Sequence, residues 1–261
     1  MELNKIYNED CLIGMKRIPD KSIDMILCDL PYGKTACKWD TIIPFEPLWE
    51  QYNRIIKDNG AIVLFGSQPF TSELIHSNLK LFRYEWIWEK HKPSNFALAK
   101  RQPMKYHENI LVFYKKQPLY NPQMIKRESE RIKQGQEAGY IGQSINHGEL
   151  NSLKTVSRSF DKYDANLKLP SSILKINAVQ SNSKEKVNHP TQKPVALFEY
   201  LIKTYTQEGE LVLDNCIGSG TTAIACINTG RNFIGFELDK HYCDIANERI
   251  RKALAEKEVC E

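Results

Sequence analysis

A chain of 261 residues, 41% hydrophobic and 26% charged, can bury a full core as one large α/β domain or a domain with an insertion. No window approaches 18 uninterrupted apolar residues, and Met1-Glu2-Leu3-Asn4-Lys5 lacks the basic-then-apolar shape of a leader, so no membrane span or secretion signal is expected. Seven scattered cysteines without a C-x-x-C pair argue for a reducing cytoplasm and against disulfides or a metal site, and the net charge of +4 is mild.

Residues 5–8 read as a short strand and 11–17 as a short helix, with a turn at 18–22. Ile23–Cys28 is a continuous apolar run, hence a strand buried on both faces. It leads directly into Asp29-Leu30-Pro31-Tyr32-Gly33, a carboxylate and an aromatic at the C-terminal end of a strand, the edge where open α/β sheets bind ligands. A plain turn, with Asp29 as a turn residue and Tyr32 as packing, is the alternative at this point. A loop over 33–43 and a helix over 44–57 follow, with Asp58-Asn59-Gly60 as the stop. A strand at 61–65, a helix at 69–79 and strands at 84–88 and 110–114 come next, the last two as antiparallel neighbours at one sheet edge.

From residue 115 to 188 the character changes. The stretch is rich in Asn, Gln, Ser and Lys and carries 13 Lys or Arg against 7 Asp or Glu, with Lys90, Lys92, Lys100, Arg101 and Lys105 just upstream. A connection this long is either a solvated insertion or a functional lobe. Clustered cations of this kind suit phosphate neutralisation.

Periodicity returns with a helix over Val195–Tyr205 and a strand over 210–213. That strand runs into Asp214-Asn215-Cys216-Ile217-Gly218-Ser219-Gly220-Thr221, which opens a helix ending near Gly230. A strand at 233–236 ends in Glu237, and Asp239 caps a final helix to about residue 255, with Ile245, Ala246, Ile250, Ala253 and Leu254 as its buried stripe. Strand, glycine-rich turn, helix and a second strand ending in an acid form a nucleotide-binding βαβ unit, and Glu237 is placed to accept ribose hydroxyls. Position 223 is Ala and no Gly-Lys-Ser/Thr occurs, so neither the three-glycine dinucleotide fingerprint nor a P-loop is present.

Three motifs together resemble the amino-methylating DNA methyltransferases, which use S-adenosylmethionine to modify the exocyclic nitrogen of adenine or cytosine. Asp29-Leu30-Pro31-Tyr32 is similar to the catalytic D-P-P-Y motif, with Trp39-Asp40 downstream. Asp214–Gly220 is similar to the cofactor motif, and His189-Pro190-Thr191-Gln192-Lys193-Pro194 to the H-P-T-x-K-P segment. The catalytic motif precedes the cofactor motif, the order of the β group. The resemblance implies an α/β, circularly permuted Rossmann-like fold with a mixed, mostly parallel sheet, in which residues 5–8 supply a strand beyond 233–236. It implies a catalytic half at 1–116, a target-recognition insertion at 117–188 and a cofactor half at 189–261.

By the same resemblance Asp29, Leu30, Pro31 and Tyr32 are catalytic. Asp29 and the Leu30 carbonyl accept the two hydrogens of the target amino group, and Tyr32 stacks on a base flipped out of the duplex. Leu30 stands where the family usually has Pro, but residue 30 still precedes Pro31 and so stays extended. Asp10, Asp29, His189, Thr191, Lys193, Asp214, Cys216, Gly218, Ser219, Gly220, Thr221, Glu237 and Leu238 form the implied cofactor set. Within it Asp10 either meets the adenine or caps the following helix, or does both. His189 and Lys193 lie near the methionine carboxylate. Phe65 either walls the cofactor pocket or belongs to the core. An Asp-first motif points to adenine N6, with cytosine N4, an inactive DNA-binding relative, or an RNA or small-molecule methyltransferase as alternatives. C5-cytosine chemistry is disfavoured because no Pro-Cys pair exists. The implied partners are double-stranded DNA, a second copy in a homodimer and a cognate restriction endonuclease, in a bacterial or phage-type cytoplasm.

Overall fold

A computed structural model describes residues 1–33, 40–127 and 166–260. The main unit comprises residues 1–121 and 171–261. Its eight-stranded sheet has the order β1 (Lys5–Tyr7), β10 (Asn232–Phe236), β9 (Leu211–Asp214), β2 (Ile23–Cys28), β3 (Ile56–Gly66), β5 (His107–Phe113), β4 (Phe82–Glu89), β8 (Ile173–Lys175). From β1 to β3 every pairing is parallel. β5 then runs antiparallel to β3 and to β4, and β8 lies parallel to β4. The parallel strands therefore deliver Tyr7, Phe236, Asp214 and Cys28 to one edge. Connections leave β9 toward β10 and β2 toward β3, in opposite directions, so the β9–β2 junction is the switch point at which such sheets open a crevice.

Both faces of the sheet are covered, which explains the unbroken apolar runs. On β2 and β3, Met25, Leu27, Ala61, Val63 and Phe65 face one cluster, shared with α4 (Val195–Tyr205), α5 (Thr221–Thr229) and α6 (Lys240–Cys260). Ile23, Ile26, Cys28, Ile62 and Leu64 face the other, shared with α1 (Cys11–Gly14), α2 (Phe45–Ile55) and α3 (Phe70–Ser77). The alternation is the period-two pleat made visible.

Several boundaries differ from the sequence expectation. α2 stops at Ile55, and Asp58-Asn59-Gly60 lies inside β3. The β2–β3 register shifts there, from Ile23 opposite Ile56 to Met25 opposite Ala61. Asp24 holds this irregularity by accepting from Lys57 Nζ at 2.5 Å and from the Leu211 N–H at 3.0 Å. A Cβ on Gly60 would lie 2.8 Å from the Asp24 carbonyl oxygen, so the glycine serves a close strand approach rather than a helix stop. The β4–β5 pair is not the sheet edge, because β8 extends it; β8 buries Leu174, while Ile173 and Lys175 are exposed. Residues 15–17 tighten into a 3₁₀ turn after α1, and α6 reaches Cys260 with Leu254 exposed.

The second unit, residues 122–170, contributes β6 (Ile125–Lys126) paired antiparallel with β7 (Leu167–Lys168). Most of the basic insertion, and Trp39, lie outside the described residues. Among the described residues no helix is long and apolar enough to cross a membrane.

Candidate active site

The glycine-rich turn is built from its two ends. Asp214, at the end of β9, accepts the Cys216 N–H at 3.1 Å through Oδ1 and the Thr222 hydroxyl through Oδ2. Burial pushes its carboxyl up to about 7, against those two donors. Ile217 plugs the turn into the core and donates its N–H to the Phe236 carbonyl at 2.9 Å. Gly218 and Gly220 then adopt φ of +53° and +82°, left-handed values that suit glycine. Space demands glycine at 220 as well, since a Cβ there would lie 2.9 Å from Ala246 Cβ on α6; one on Gly218 would sit tightly, 3.1 Å from His189 Nε2. Arg249, on α6, donates to the Ser219 carbonyl at 2.6 Å, and the Thr221 hydroxyl donates to the Lys193 carbonyl at 3.3 Å. These ties bind the turn to α6 and to the 189–194 segment.

Glu237 stands at the end of β10. Its carboxylate accepts the Gly218 N–H at 2.9 Å and the Asp239 N–H at 2.8 Å. Burial still pushes the carboxyl upward. Asn8, just past β1, donates to the Glu237 and Leu238 carbonyls at 2.8 and 3.0 Å, so the first strand of the chain positions the acid at the end of one of the last. Leu238 itself is 67% exposed beside the cavity. Asp10 caps α1, accepting the Leu12 N–H at 2.7 Å, and also lines the cavity.

Asp29, just beyond β2, is held on both carboxylate oxygens. The Tyr32 hydroxyl donates to Oδ1 at 2.7 Å, and Lys193 Nζ donates to Oδ2. Lys193 also lies 3.4 Å from Glu108 Oε2, and Lys90 donates to Glu108 Oε1 at 2.9 Å. Two ammonium groups and two carboxylates thus form a neutral, largely buried chain. Burial pushes the Asp29 carboxyl up, and Lys193 opposes it. Burial also acts on Glu108, but Lys193 and Lys90 outweigh it and hold that carboxyl at about 2. Lys193, despite its own burial, is held above its ordinary range by Asp29 and Glu108. His189 goes the other way: burial and the nearby cations lower it to about 4, so it is neutral at pH 7. The ammonium expected near the cofactor's carboxylate is therefore committed to Asp29 and Glu108.

The neighbours of Asp29 in the 29–33 stretch have clear seats. Leu30 buries its side chain in the core cluster that includes Phe70. Tyr32 lies against Phe70, with ring centroids 5.0 Å apart. Gly33 takes φ of +66° and donates its N–H to Asp40 Oδ1 at 2.8 Å, which closes the motif against the far side of the loop. Phe65 is core: it is fully buried and stacks on Phe198 at 5.2 Å, and Phe198 is the ring that reaches the cavity.

One cavity of about 820 Å³ joins these groups, a volume in the range of cofactor sites. Asp10, Asp29, Leu30, Pro31, Tyr32, His189, Thr191, Lys193, Asp214, Cys216, Gly218, Ser219, Thr221, Glu237 and Leu238 line it; Gly220 sits behind the turn, packed on Ala246. Sequence reasoning missed the cavity-lining Glu108, Phe198 and Tyr242 and the turn-holding Arg249, and it grouped Lys90 with the phosphate-facing cations, whereas Lys90 is buried against Glu108. Glu108 carried a readable signal, a lone acid two residues before the apolar run from 110, but its partner Lys90 becomes a neighbour only through the β4–β5 register, which sets Trp88 opposite Glu108.

The sequence matches the family model for DNA methylase, N6 and N4 type, across residues 23–248. The Type II methyltransferase M1.MboII of Moraxella bovis is 29% identical over 270 residues, covering 95% of this chain and 96% of the relative. The DNA adenine methyltransferase YhdJ of Escherichia coli (strain K12) is 29% identical over 265 residues, covering 95% and 83%. The solved structure of the M1.HpyAVI–SAM complex superposes with a TM-score of 0.62 at 26% identity, covering 94% of this chain and 98% of that one. The left-handed turn at Gly218 and the acid at the end of β10 fit an adenosine-bearing cofactor. With its matched span covering most of the chain, this protein belongs to the S-adenosylmethionine-dependent DNA methyltransferases that methylate an exocyclic amino group.

Proposed function

We propose that the chain methylates the N6 amino group of adenine in double-stranded DNA, at sites chosen through the basic insertion at 117–188, with the target base turned out of the helix. The observation that carries the reading is Asp29: a carboxylate at the cavity edge, beside an aromatic and fixed by two donors. The likeness to a relative named as an adenine methyltransferase supports the choice of base.

S-adenosylmethionine supplies an electrophilic methyl group on its sulfonium. Glu237 and the Gly218 turn hold the adenosine end, with Leu238 and Asp10 beside the base. The chain's task is then to make a poor nucleophile attack. The amino lone pair of adenine is delocalised into the ring. Asp29 accepts one N–H and the Leu30 carbonyl the other, drawing the nitrogen toward a tetrahedral geometry. This is positioning plus fixed electrostatics, with no covalent enzyme species. Leu30 can replace proline here because its side chain is spent in the core and its carbonyl remains for the amino group. Tyr32 covers the ring face, and Lys193 keeps Asp29 oriented. Single-molecule sequencing of DNA from cells expressing the chain tests this directly. N6-methyladenine in a fixed context is expected, absent from cells expressing Asp29→Ala. N4-methylcytosine in its place overturns the choice of base, and unmodified DNA overturns the function.

A further inference from the structure

The connection from β4 to β5, residues 90–106, is a built knuckle rather than a loose loop. Its stem is closed by the Lys90 N–H to the Tyr106 carbonyl at 2.6 Å and the Ser94 N–H to the Lys105 carbonyl at 3.1 Å. Asn95 clamps the two arms, donating to the Pro103 carbonyl at 3.1 Å and accepting the Lys105 N–H at 2.6 Å. The tip is a 3₁₀ turn over Phe96–Leu98, tied by the Leu98 N–H to the Asn95 carbonyl and the Ala99 N–H to the Phe96 carbonyl. This ordered tip presents apolar side chains to water: Phe96 is 77% exposed, with Leu98 at 41% and Met104 at 39%. Around them Lys92, Lys100 and Arg101 are exposed, and no Asp or Glu occurs between residues 90 and 107. The stem residues Lys90 to Ser94 line the same cavity as Asp29.

An exposed aromatic ringed by cations, on a stem that walls the reaction cavity, needs a polyanion with an apolar interior within reach. Duplex DNA has both, as phosphates outside and stacked bases within. A base that leaves the stack for the cavity opens an apolar gap, and closing that gap with a side chain offsets the unstacking cost of a few kcal/mol. We infer that Phe96 is a wedge that fills the gap left by the target base, while Lys92, Lys100 and Arg101 take the flanking phosphates. The inference rests on the proposed base-flipping reaction and assigns the surface that stabilises the flipped state.

The test compares the unmodified chain, Phe96→Ala and Phe96→Leu on two synthetic duplexes carrying the context that sequencing returns. One is fully paired; the other has an abasic site opposite the target, where the base is already unpaired. Phe96→Ala is expected to lower kcat/KM about tenfold to a hundredfold on the paired duplex, the size of one lost base–aromatic stack. It should approach the unmodified chain on the abasic duplex, and Phe96→Leu should fall between the two on paired DNA. Because the side chain is exposed, the unfolding midpoint and cofactor affinity should not move. Equal rates for Phe96→Ala and the unmodified chain on paired DNA overturn the wedge, as does an equal loss on both duplexes. If the unmodified chain modifies neither duplex, the methylation reading fails first, and the wedge fails with it.

Discussion

Replacing Lys193 by Met keeps the aliphatic stem and removes the ammonium from between two carboxylates. Glu108 is held at about 2 where an ordinary glutamate sits at 4.5, which favours its ionised form by about 3 kcal/mol near neutral pH. Lys193 is the larger of the two cationic contributions, and Lys90 is the other. Without Lys193, Asp29 loses its Oδ2 donor and keeps the Tyr32 hydroxyl on Oδ1, while Glu108 keeps its pair with Lys90. Breaking a buried pair on one side costs about 3–5 kcal/mol, so Lys193→Met should lose about 3 kcal/mol at pH 7. The sign with pH follows from a depressed carboxylate. Its stabilisation is complete above about 4.5 and disappears as pH falls through about 2. The stability gap between the unmodified chain and the variant is therefore widest at neutral pH and narrows on acidification. Urea unfolding across a pH series measures it, with methyl transfer followed in parallel. Equal urea midpoints at pH 7, or a gap that stays constant as the pH falls, would refute the charge-chain account.

Two further substitutions divide the cavity between its tasks. Asp29→Ala should reduce methyl transfer about a hundredfold to a thousandfold, as loss of a fixed electrostatic group at the reacting atom does, while calorimetric cofactor affinity stays within a few-fold; wild-type-like turnover would remove Asp29 from the mechanism. Glu237→Gln leaves one of the two backbone N–H groups facing an amide NH2, a donor, and weakens any ribose contact, so cofactor Kd should rise about tenfold to a hundredfold; an unchanged Kd would mean that the ribose is held elsewhere.

What the sequence disclosed and what it hid follow from the range of the interactions. Strands β2 and β9 were legible because both faces are buried, which writes an unbroken apolar run, and the turn at Gly218–Gly220 because left-handed backbone restricts the residue type. Asp58-Asn59-Gly60 misled because the same residues that stop helices also serve a strand irregularity, and only the neighbour across the sheet, Asp24, distinguishes the two. β8 was silent, since Leu174 alone of its three residues is buried and one apolar residue makes no pattern. The charge chain through Lys193 was invisible for a different reason. Lys90, Glu108, Asp29 and Lys193 come from separate segments, and their meeting depends on sheet order and register. The motif reading thus supplied the carboxylate, and the tertiary structure supplied the groups that govern its charge.

The pairing of β1 with β10 has a consequence for how the protein comes into being. Once made, β1 cannot find its partner β10 until more than two hundred further residues have been synthesised. During translation, which proceeds at about 5–20 residues per second, the segment bearing Asp29 is complete well before the edge that holds Glu237 and Asn8 together can close. Long-range pairing of this kind slows folding, because chain entropy is lost before the contact forms. The nascent chain therefore carries Asp29 and Tyr32 before the Glu237 side of the cavity exists. The cavity is complete only once β1 has docked on a strand made more than two hundred residues after it.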